Sequence, residues 1–475
     1  MKKLIYLFIA SLALTAISCD KDFEEINTSP NDSPLTDPNL LLSSTIIQTQ
    51  NVLYNAQIGG DMGLCWAQQW SKVQYNSEER YTPRRANMNS FWSVLYANVI
   101  AEATSSYEQA GSENSNLQGA ALVMKANALQ ILTDVYGPVP VSEIGVSGNV
   151  KPKFDSQEVV YDTIFSLLDR ANAKFISGTG VITPSADLLY AGNVSKWKKL
   201  GNSLKLKALM RISSKRDVSV QVQALVNAGS LMSSNADSAQ LTYTASQPDA
   251  NPIYETIVYG TRKEYKVSSV LLAKLNSLND PRLSVFASKN VAGNYVGNVP
   301  GIENPSNYDG FSSPGTKYLA ATLPGVVLSY SQVQLLLAEA ANRNIISGGT
   351  PSAITYLENG IQANMDFNGV APGLASTYIN QVTSNFTDAT TGKDIIGNQV
   401  WLSLYGQGIE TWTEWRRTSI PALVPVQFAD ATVGVIPRRF YFSTDSQNYN
   451  NANYVSAAAT LDNGDTMVSK VWWMN

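Results

Sequence analysis

Two acidic side chains near the end of the sequence have a spacing that could serve acid–base catalysis. Glu410 and Glu414 stand one helical turn apart, and Arg416 and Arg417 follow directly. A pair of carboxylates is what glycoside hydrolases use as acid and as base or nucleophile. The same spacing suits Glu–Arg pairs that hold a segment onto neighbouring helices. We favour this structural interpretation, because nothing else marks two acids as catalytic, and we predict that the protein is not an enzyme.

The absence of histidine from the sequence removes several classes of active site. Without histidine the chain cannot form a Ser-His-Asp or Cys-His nucleophile system or a His-ligated zinc site. The net charge of −4 also lacks the strong basic excess of nucleic-acid-binding proteins. The turn at residues 462–465 does not have the ligand spacing of a calcium loop. We therefore expect no cofactor and no nucleic-acid partner.

Aromatic and amide side chains alternate through residues 66–81 without a helical stripe. The chain has 9 Trp and 23 Tyr against 13 Phe, and such rings combine a flat apolar face with a polar edge. Such rings suit partly wet surfaces, where neighbouring amide side chains can bind the polar groups of a ligand. We predict a ligand site formed by Trp66, Trp70, Tyr75, Asn76, Tyr81, Tyr254, Tyr308 and Phe311. Packing in the core is an equal alternative for Trp66 and Trp70, whereas exposure is favoured for Tyr75, Tyr81 and Tyr308.

The amino-terminal residues have the pattern of an export signal. Lys2 and Lys3 precede an apolar run over residues 4–17, which is shorter than the ~20 residues that a membrane-spanning helix needs. Cys19 follows Ala-Ile-Ser, an arrangement that resembles a bacterial lipobox, in which the cysteine becomes the first mature residue and carries acyl chains. Two or more acyl chains anchor a protein stably to a membrane. An ordinary secretory signal with an incidental cysteine is the alternative.

This pattern predicts three parts of the chain. Residues 1–18 are a lipoprotein signal peptide, residues 19–38 an acidic, proline-containing tether, and residues 39–475 one helical binding domain. If Cys19 is lipidated, Cys65 has no disulfide partner. Its apolar neighbours Leu64 and Trp66 favour a buried, unreactive thiol.

Helical periodicity accounts for most of the remaining sequence. The predicted helices run over about 39–55, 87–111, 117–136, 155–178, 195–213, 267–278, 329–344, 350–361 and 393–405. Asp155 and Thr350 are expected to cap two of them. Several helices form consecutive pairs, as in tetratricopeptide repeats, but without a strict 34-residue period. We predict a mostly α fold built from tetratricopeptide-like helix pairs, with long irregular loops, above all at 290–326, and little strand.

Two groups of basic residues are interpreted as structural. The helix over 195–213 carries six basic side chains, which we expect to form a solvated face: Lys196, Lys198, Lys199, Lys205, Lys207 and Arg211. Arg438 and Arg439 are expected to hold carboxylates rather than a ligand.

The carboxyl-terminal motifs carry a specific resemblance. WLSLYGQGIETWTEWRRTSIP at 401–421 is followed by IPRRF at 436–440 and VWW at 471–473. Together with segments at 23–27, 134–140, 279–283 and 330–340, this sequence resembles the SusD/RagB family of outer-membrane nutrient-binding lipoproteins, in its starch-binding associating branch. The resemblance extends over nearly the whole mature chain.

The resemblance implies both a fold and a function. It implies four tetratricopeptide-like helix pairs and a glycan-binding face near the amino-terminal loop. It also implies a lipid anchor at the cell surface and a partner, a TonB-dependent outer-membrane barrel of the SusC type, to which starch or another polysaccharide is delivered without catalysis. The acidic residues after Cys19 are similar to the export tag of such lipoproteins. A peptide-binding or other nutrient-binding lid and, less favoured, a carboxylate-pair glycoside hydrolase remain alternatives.

Overall fold

Polar side chains fix where most of the long helices begin. In this computed structural model the side chains of Asn114, Asn193, Ser268 and Ser329 each accept a hydrogen bond from a main-chain N–H in the first turn of the helix that follows. Such N-caps satisfy donors that have no partner inside the helix. The structure describes residues 36–146 and 148–474. The predicted signal peptide, Cys19 and nearly all of the predicted tether lie outside the described residues.

The helices occupy most of the described chain. They are α1 Pro38–Leu53, α2 Arg85–Ser93, α3 Ala101–Ala110, α4 Ser115–Tyr136, α5 Gln157–Ser177, α6 Val194–Ile212, α7 Ser219–Asn227, α8 Pro252–Tyr254, α9 Ser269–Ser277, α10 Leu283–Phe286, α11 Tyr330–Asn342, α12 Gly349–Asn368, α13 Pro372–Ser384, α14 Ala389–Ser403, α15 Gly408–Thr418, α16 Thr444–Tyr449 and α17 Asn451–Ala458. Segments of π-helix lie at Ala56–Leu64, Val94–Ile100 and Glu255–Tyr259. Consecutive helices pack most extensively as pairs, notably α4 with α5 and α11 with α12. The predicted mostly α fold is confirmed.

Within the described residues, four short strands form two antiparallel ribbons. The strand β1 (Trp70–Lys72) pairs with β3 (Tyr265–Val267), and β2 (Ala239–Leu241) pairs with β4 (Gly325–Leu328). Two-stranded ribbons are marginal by themselves and need packing against other elements. Every residue of β1, β3 and β4 is buried, so these ribbons depend on the helices around them.

Three predicted helix starts differ from the structure. Asp155 is not an N-cap, because its carboxylate instead accepts hydrogen bonds from the N–H groups of Val141 and Ser142, and Ser156 caps α5. Val267 belongs to β3 rather than to the following helix. Thr350 does not cap α12, which already begins at Gly349. In each case a contact with a distant segment, or a turn just before the helix, moves the boundary.

The core consists of two clusters of buried apolar side chains. The larger cluster lies between the helices. The smaller one packs around the β1–β3 ribbon and residues 401–405, at the start of the 401–421 motif. In the smaller cluster the rings of Phe286 and Tyr405 stack with centroids 4.3 Å apart, and Tyr318 packs edge-on at 4.5 Å from Tyr405. Offset and edge-on pairs are the geometries that aromatic rings favour. The candidate site lies at one end of the β1–β3 ribbon, and this cluster packs around that ribbon.

The predicted solvated face of α6 is only partly correct, because Lys207 and Arg211 are buried. The Arg211 guanidinium lies 3.2 Å from Asp134, 2.9 Å from Glu410 and 2.8 Å from Glu414. A buried charge requires partners of this kind. Arg211 therefore joins α4, α6 and α15, and the structural interpretation of the two glutamates is confirmed.

The arginine pair of the 436–440 motif is divided between two kinds of partner. Arg439 is fully buried and lies 2.7 Å from the carboxylate of Asp465, as predicted. Arg438 instead donates to the main-chain oxygen of Val468 at 3.0 Å, which corrects the expectation that it holds a carboxylate. Arg439 also donates to the main-chain oxygen of Tyr136 at 3.0 Å and so fastens the carboxyl-terminal segment to α4, whereas Arg438 joins two parts of that segment.

The π-helix Ala56–Leu64 crosses the start of α15 at glycine. A Cβ atom built on Gly63 would lie 2.4 Å from the main-chain carbon of Gly408. A Cβ on Gly408 would lie 1.9 Å from the main-chain oxygen of Gly59. The two backbones therefore approach so closely that neither glycine position has room for a side chain.

Candidate functional site

The β1–β3 ribbon brings two loops together at one end. Lys72, the last residue of β1, lies opposite Tyr265, the first residue of β3. The main chain beyond β1 stays attached to the loop before β3, because the N–H of Val73 donates to the oxygen of Glu264 at 3.0 Å. Residues 74–75 and 261–264 consequently form two walls of one open depression.

Tyr75 is the exposed ring of this depression. Its side chain is 55% exposed, and its φ of 60° is in the left-handed region, which non-glycine residues rarely adopt. Backbone strain of this kind costs about 1–3 kcal/mol and persists only where the surroundings enforce it. The guanidinium of Arg262 lies 5.6 Å from the ring centroid, within the range of a cation–π contact. The protein therefore holds this ring in place at the surface.

A second tyrosine and several polar groups complete the lining. The Tyr308 hydroxyl donates to the side-chain oxygen of Gln74, and Arg262 donates to Glu264 at 2.6 Å. Partial desolvation, with the nearby charge of Glu264, raises the pKa of Tyr308. The complete lining is Gln74, Tyr75, Arg84, Thr261, Arg262, Lys263, Glu264 and Tyr308.

A buried amide, that of Asn298, helps to fix the loop that carries Tyr308. The side-chain nitrogen of Asn298 donates to Ser71 at 2.9 Å and to the main-chain oxygen of Ile302 at 2.9 Å. Its side-chain oxygen accepts a hydrogen bond from Asn304 at 2.9 Å. Asn298 is fully buried, so these bonds are shielded from water. The loop predicted at 290–326 is thus held against β1.

The arrangement suits noncovalent recognition of a hydroxylated ligand with apolar faces. Tyr75 and Tyr308 present aromatic surface, while Gln74, Arg262 and Lys263 offer amide and cationic groups. A few placed polar groups around aromatic surface are typical of small-molecule sites. Glu264 is the one carboxylate that lines the depression.

Sequence reasoning identified Tyr75 and Tyr308 but missed the charged wall at residues 261–264. The signal was present in the sequence, as Thr-Arg-Lys-Glu between Gly260 and Tyr265. Its significance depends on the pairing of β1 with β3, which joins segments far apart in the chain and which no local pattern indicates.

Trp66 and Trp70 are core residues and do not reach the surface. Trp66 packs edge-on against Trp412 and Phe440, with centroids 5.2 and 5.7 Å apart. The Trp70 indole N–H donates to the Tyr405 hydroxyl at 2.9 Å. Both tryptophans are buried. Of the two alternatives open for these rings, packing is confirmed, and they link the amino-terminal loop to the carboxyl-terminal motif.

Asn76 and Tyr81 are also buried, so the exposure predicted for Tyr81 is wrong. The Asn76 side chain donates to Glu79 at 3.0 Å and to the main-chain oxygen of Lys72 at 2.7 Å. The Tyr81 oxygen accepts a hydrogen bond from the N–H of Val426 at 2.9 Å. Both side chains form hydrogen bonds inside the protein, which position the loops around the depression, and neither side chain lines it.

Tyr254 and Phe311 are partly buried and do not line the depression. Tyr254 ends the short helix α8, and Phe311 follows a turn of 3₁₀-helix. The structure therefore brings together two of the eight predicted side chains, Tyr75 and Tyr308, and places the other six elsewhere.

Two further properties concern the described residues alone. Within 36–146 and 148–474, no cluster of three carboxylate or thiol side chains could hold a metal ion. No helix of these ranges is long and apolar enough to cross a membrane. Cys65 is buried as predicted, and burial raises the pKa of its thiol well above the usual value.

Comparison with known proteins agrees with this fold. A family model described as "Starch-binding associating with outer membrane" matches residues 30–443. A structure described as a chitin-binding protein is 27% identical, with 92% of this chain and 100% of that chain covered and a TM-score of 0.83. No curated protein gives a significant match.

Two more distant structures establish the fold alone. A chitin-binding SusD homologue from Flavobacterium johnsoniae is 22% identical, and its TM-score is 0.77. The alignment covers 92% of this chain and 97% of that chain. A SusD homologue from Bacteroides uniformis is 21% identical, with coverage of 92% and 99% and a TM-score of 0.79. Since the family model extends over most of the sequence, the chain belongs to the SusD-like family.

Proposed function

We propose that this protein binds a glycan in the depression around Tyr75 and Tyr308 and delivers it, uncleaved, to a TonB-dependent barrel of the SusC type. The observation that carries the proposal is the Tyr75 ring, which is exposed on a strained backbone with an arginine at hand. The fold holds Tyr75 in a strained conformation without burying its ring, and strain of this kind clusters at ligand sites. It is therefore best explained by a ligand.

Similar proteins supply the first ligands to test. The family description names starch, and a relative 27% identical to this chain is described as chitin-binding. Both are polymers of ring sugars with apolar faces, which fit stacking on tyrosine. We therefore propose chitin oligosaccharides as the first candidate and malto-oligosaccharides as the second.

The proposed function is binding without hydrolysis. Canonical glycoside hydrolysis needs two carboxyl groups on either side of the scissile bond. The depression offers Glu264 alone, and its carboxylate is engaged by Arg262 at 2.6 Å. This geometry supports a receptor rather than a hydrolase.

The anchor and the location are parts of the same proposal. We infer that Cys19 is acylated and that residues 19–38 tether the domain to the outer face of the outer membrane. The association of the family with the outer membrane supports this assignment. A tethered receptor stays close to its transporter, which raises the effective concentration of the captured glycan there.

The test is glycan binding by titration calorimetry with purified protein. Tyr75→Ala and the Tyr75→Ala/Tyr308→Ala double variant should weaken binding at least about tenfold, a loss of ~1.4 kcal/mol. Tyr449→Ala is the matched control, because Tyr449 is 72% exposed in α16 and does not line the depression. Equal affinities in all four proteins would remove the depression from consideration. Release of shortened sugars during incubation would instead indicate hydrolysis.

A further inference from the structure

Phe428 repeats the construction of Tyr75 at a second place on the surface. Its side chain is 72% exposed, and its φ of 58° is again in the left-handed region. The guanidinium of Arg80 lies 5.3 Å from the ring centroid. An exposed ring, a strained backbone and an arginine at the ring thus occur together twice. Backbone strain persists only where the surroundings enforce it, and it clusters at ligand sites.

The loop that carries Phe428 touches the loop that carries Tyr308. The N–H of Gln427 donates to the oxygen of Pro300 at 3.4 Å. Gly301 has a φ of 84°, and a Cβ atom there would lie 2.1 Å from the oxygen of Gln427. Only glycine permits so close an approach. The two loops are therefore fitted to each other at Gly301.

Arg80 joins this contact to the segment that follows Tyr75. Its Nε donates to the oxygen of Gly301 at 2.8 Å, and its main-chain oxygen accepts from the N–H of Asp430 at 2.8 Å. Nearer to Tyr75, the N–H of Asn76 donates to the side chain of Glu303 at 3.5 Å. A continuous strip of loops thus connects the depression with Phe428.

Buried contacts hold the Phe428 loop in position. The Tyr81 oxygen, itself 1% exposed, accepts the N–H of Val426 at 2.9 Å. The Gln68 side chain donates to the oxygen of Val424 at 2.5 Å. The exposed ring is consequently fixed from beneath, which lowers the entropic cost of binding a ligand.

We propose that Phe428, with Arg80 beside it, forms a second sugar-stacking platform that binds the same glycan chain as Tyr75. This inference rests on the proposed function and adds to it a requirement for long ligands. The polar neighbours Gln427 and Asp430 and the continuity with the depression favour a saccharide over a protein partner, whose interface core would be more apolar. A chain that reaches both platforms gains avidity, whereas a short sugar binds at Tyr75 alone.

The experiment compares ligand lengths. Calorimetry of the wild type and Phe428→Ala with chitin disaccharide and with a long soluble chitin oligosaccharide should show a length-dependent loss. We expect affinity for the long chain to fall about tenfold and affinity for the disaccharide to remain unchanged. Phe428→Trp, which keeps an aromatic face, should retain binding of the long chain. Tyr75→Ala should weaken the binding of both the disaccharide and the long chain.

Several outcomes would overturn the inference. Equal affinity of Phe428→Ala and wild type for the long chain, with Tyr75→Ala impaired, refutes the second platform and leaves the proposed function intact. Failure of the wild type to bind chitin and malto-oligosaccharides of either length refutes the proposed function and the inference together. Since Phe428 is exposed, Phe428→Ala should keep the wild-type melting temperature, and the control Tyr449→Ala should bind both ligands normally. No Arg80 variant is used, because the Arg80 side chain also donates a hydrogen bond to the oxygen of Gly301 and its removal would disturb the loop.

Discussion

Glu79 is a carboxylate beneath the candidate site where water does not reach. Burial raises its pKa from 4.5 to about 7, although the hydrogen bond from the N–H of Lys72 opposes the shift. One oxygen of Glu79 has no hydrogen-bond partner. The folded protein therefore retains a proton on this side chain at a pH where the unfolded chain has lost it.

This shift makes stability depend on pH in a stated direction. The pKa of Glu79 is higher in the folded protein than in the unfolded chain. Its contribution to the free energy of unfolding is therefore complete below pH 4.5 and is lost as the pH rises through about 7. The loss amounts to roughly 3 kcal/mol at 1.36 kcal/mol per pKa unit. Glu79→Gln should remove this loss, so its unfolding free energy in urea should fall less than that of the wild type between about pH 5 and about pH 8.

The comparison needs a second carboxylate variant. Glu113→Gln changes an exposed carboxylate in the turn before α4 and should reproduce the pH dependence of the wild type. Parallel curves for Glu79→Gln and wild type would show that Glu79 is ionised in the folded protein.

Residue type alone predicted which side chains could stack on a ligand but not which of them are exposed. Trp66 and Tyr75 lie in one stretch and both have suitable rings, yet one is buried and the other exposed. The difference comes from partners far away in the chain, since Trp412 and Phe440 pack against Trp66, whereas Tyr75 lies beyond the end of the β1–β3 ribbon. The residues next to Trp66 and Tyr75 in the sequence do not indicate these distant partners.

At the scale of elements, α6 and α15 depend on one buried guanidinium. Arg211→Met would leave Asp134, Glu410 and Glu414 without their shared cation, and removal of one partner from a buried ion pair typically costs about 3–5 kcal/mol. We expect the unfolding free energy in urea to fall by this order. Lys198→Met on the same helix is the control, because Lys198 is only partly buried and should change stability by no more than about 0.5 kcal/mol. An Arg211→Met protein as stable as this control would contradict the central role of Arg211.

Helices were predictable because their signals are local. The apolar stripe and the capping asparagine of α4 stand within the helix or directly before it, and Gly137 ends it with a φ of 89°. The start of α5 was misplaced because Asp155 binds a segment before it rather than its own helix. The loop at 290–326 was predicted as irregular, but the role of Asn298 in holding it required the tertiary structure.

At the scale of the whole molecule, the lipid anchor stays a prediction. Cys19→Ala should prevent acylation, and two acyl chains are what makes membrane attachment stable. We expect the wild type in the membrane fraction of cells and the variant in the soluble fraction, as judged by fractionation and by mass spectrometry of the mature amino terminus. Cys65→Ala should stay with the membrane. Recovery of Cys19→Ala in the membrane fraction would point to another means of attachment.

The glycine crossing between the π-helix Ala56–Leu64 and α15 limits which parts of this protein can accept a new side chain. At Gly63 and Gly408 even one methyl group would force the backbones apart, and with them the helix that carries Glu410 and Glu414. Tyr75 and Phe428 stand on surface loops where another ring disturbs no packing. Under the proposed function, the rings that contact the ligand could therefore be exchanged without disturbing the core, whereas a side chain at Gly63 or Gly408 would displace α15.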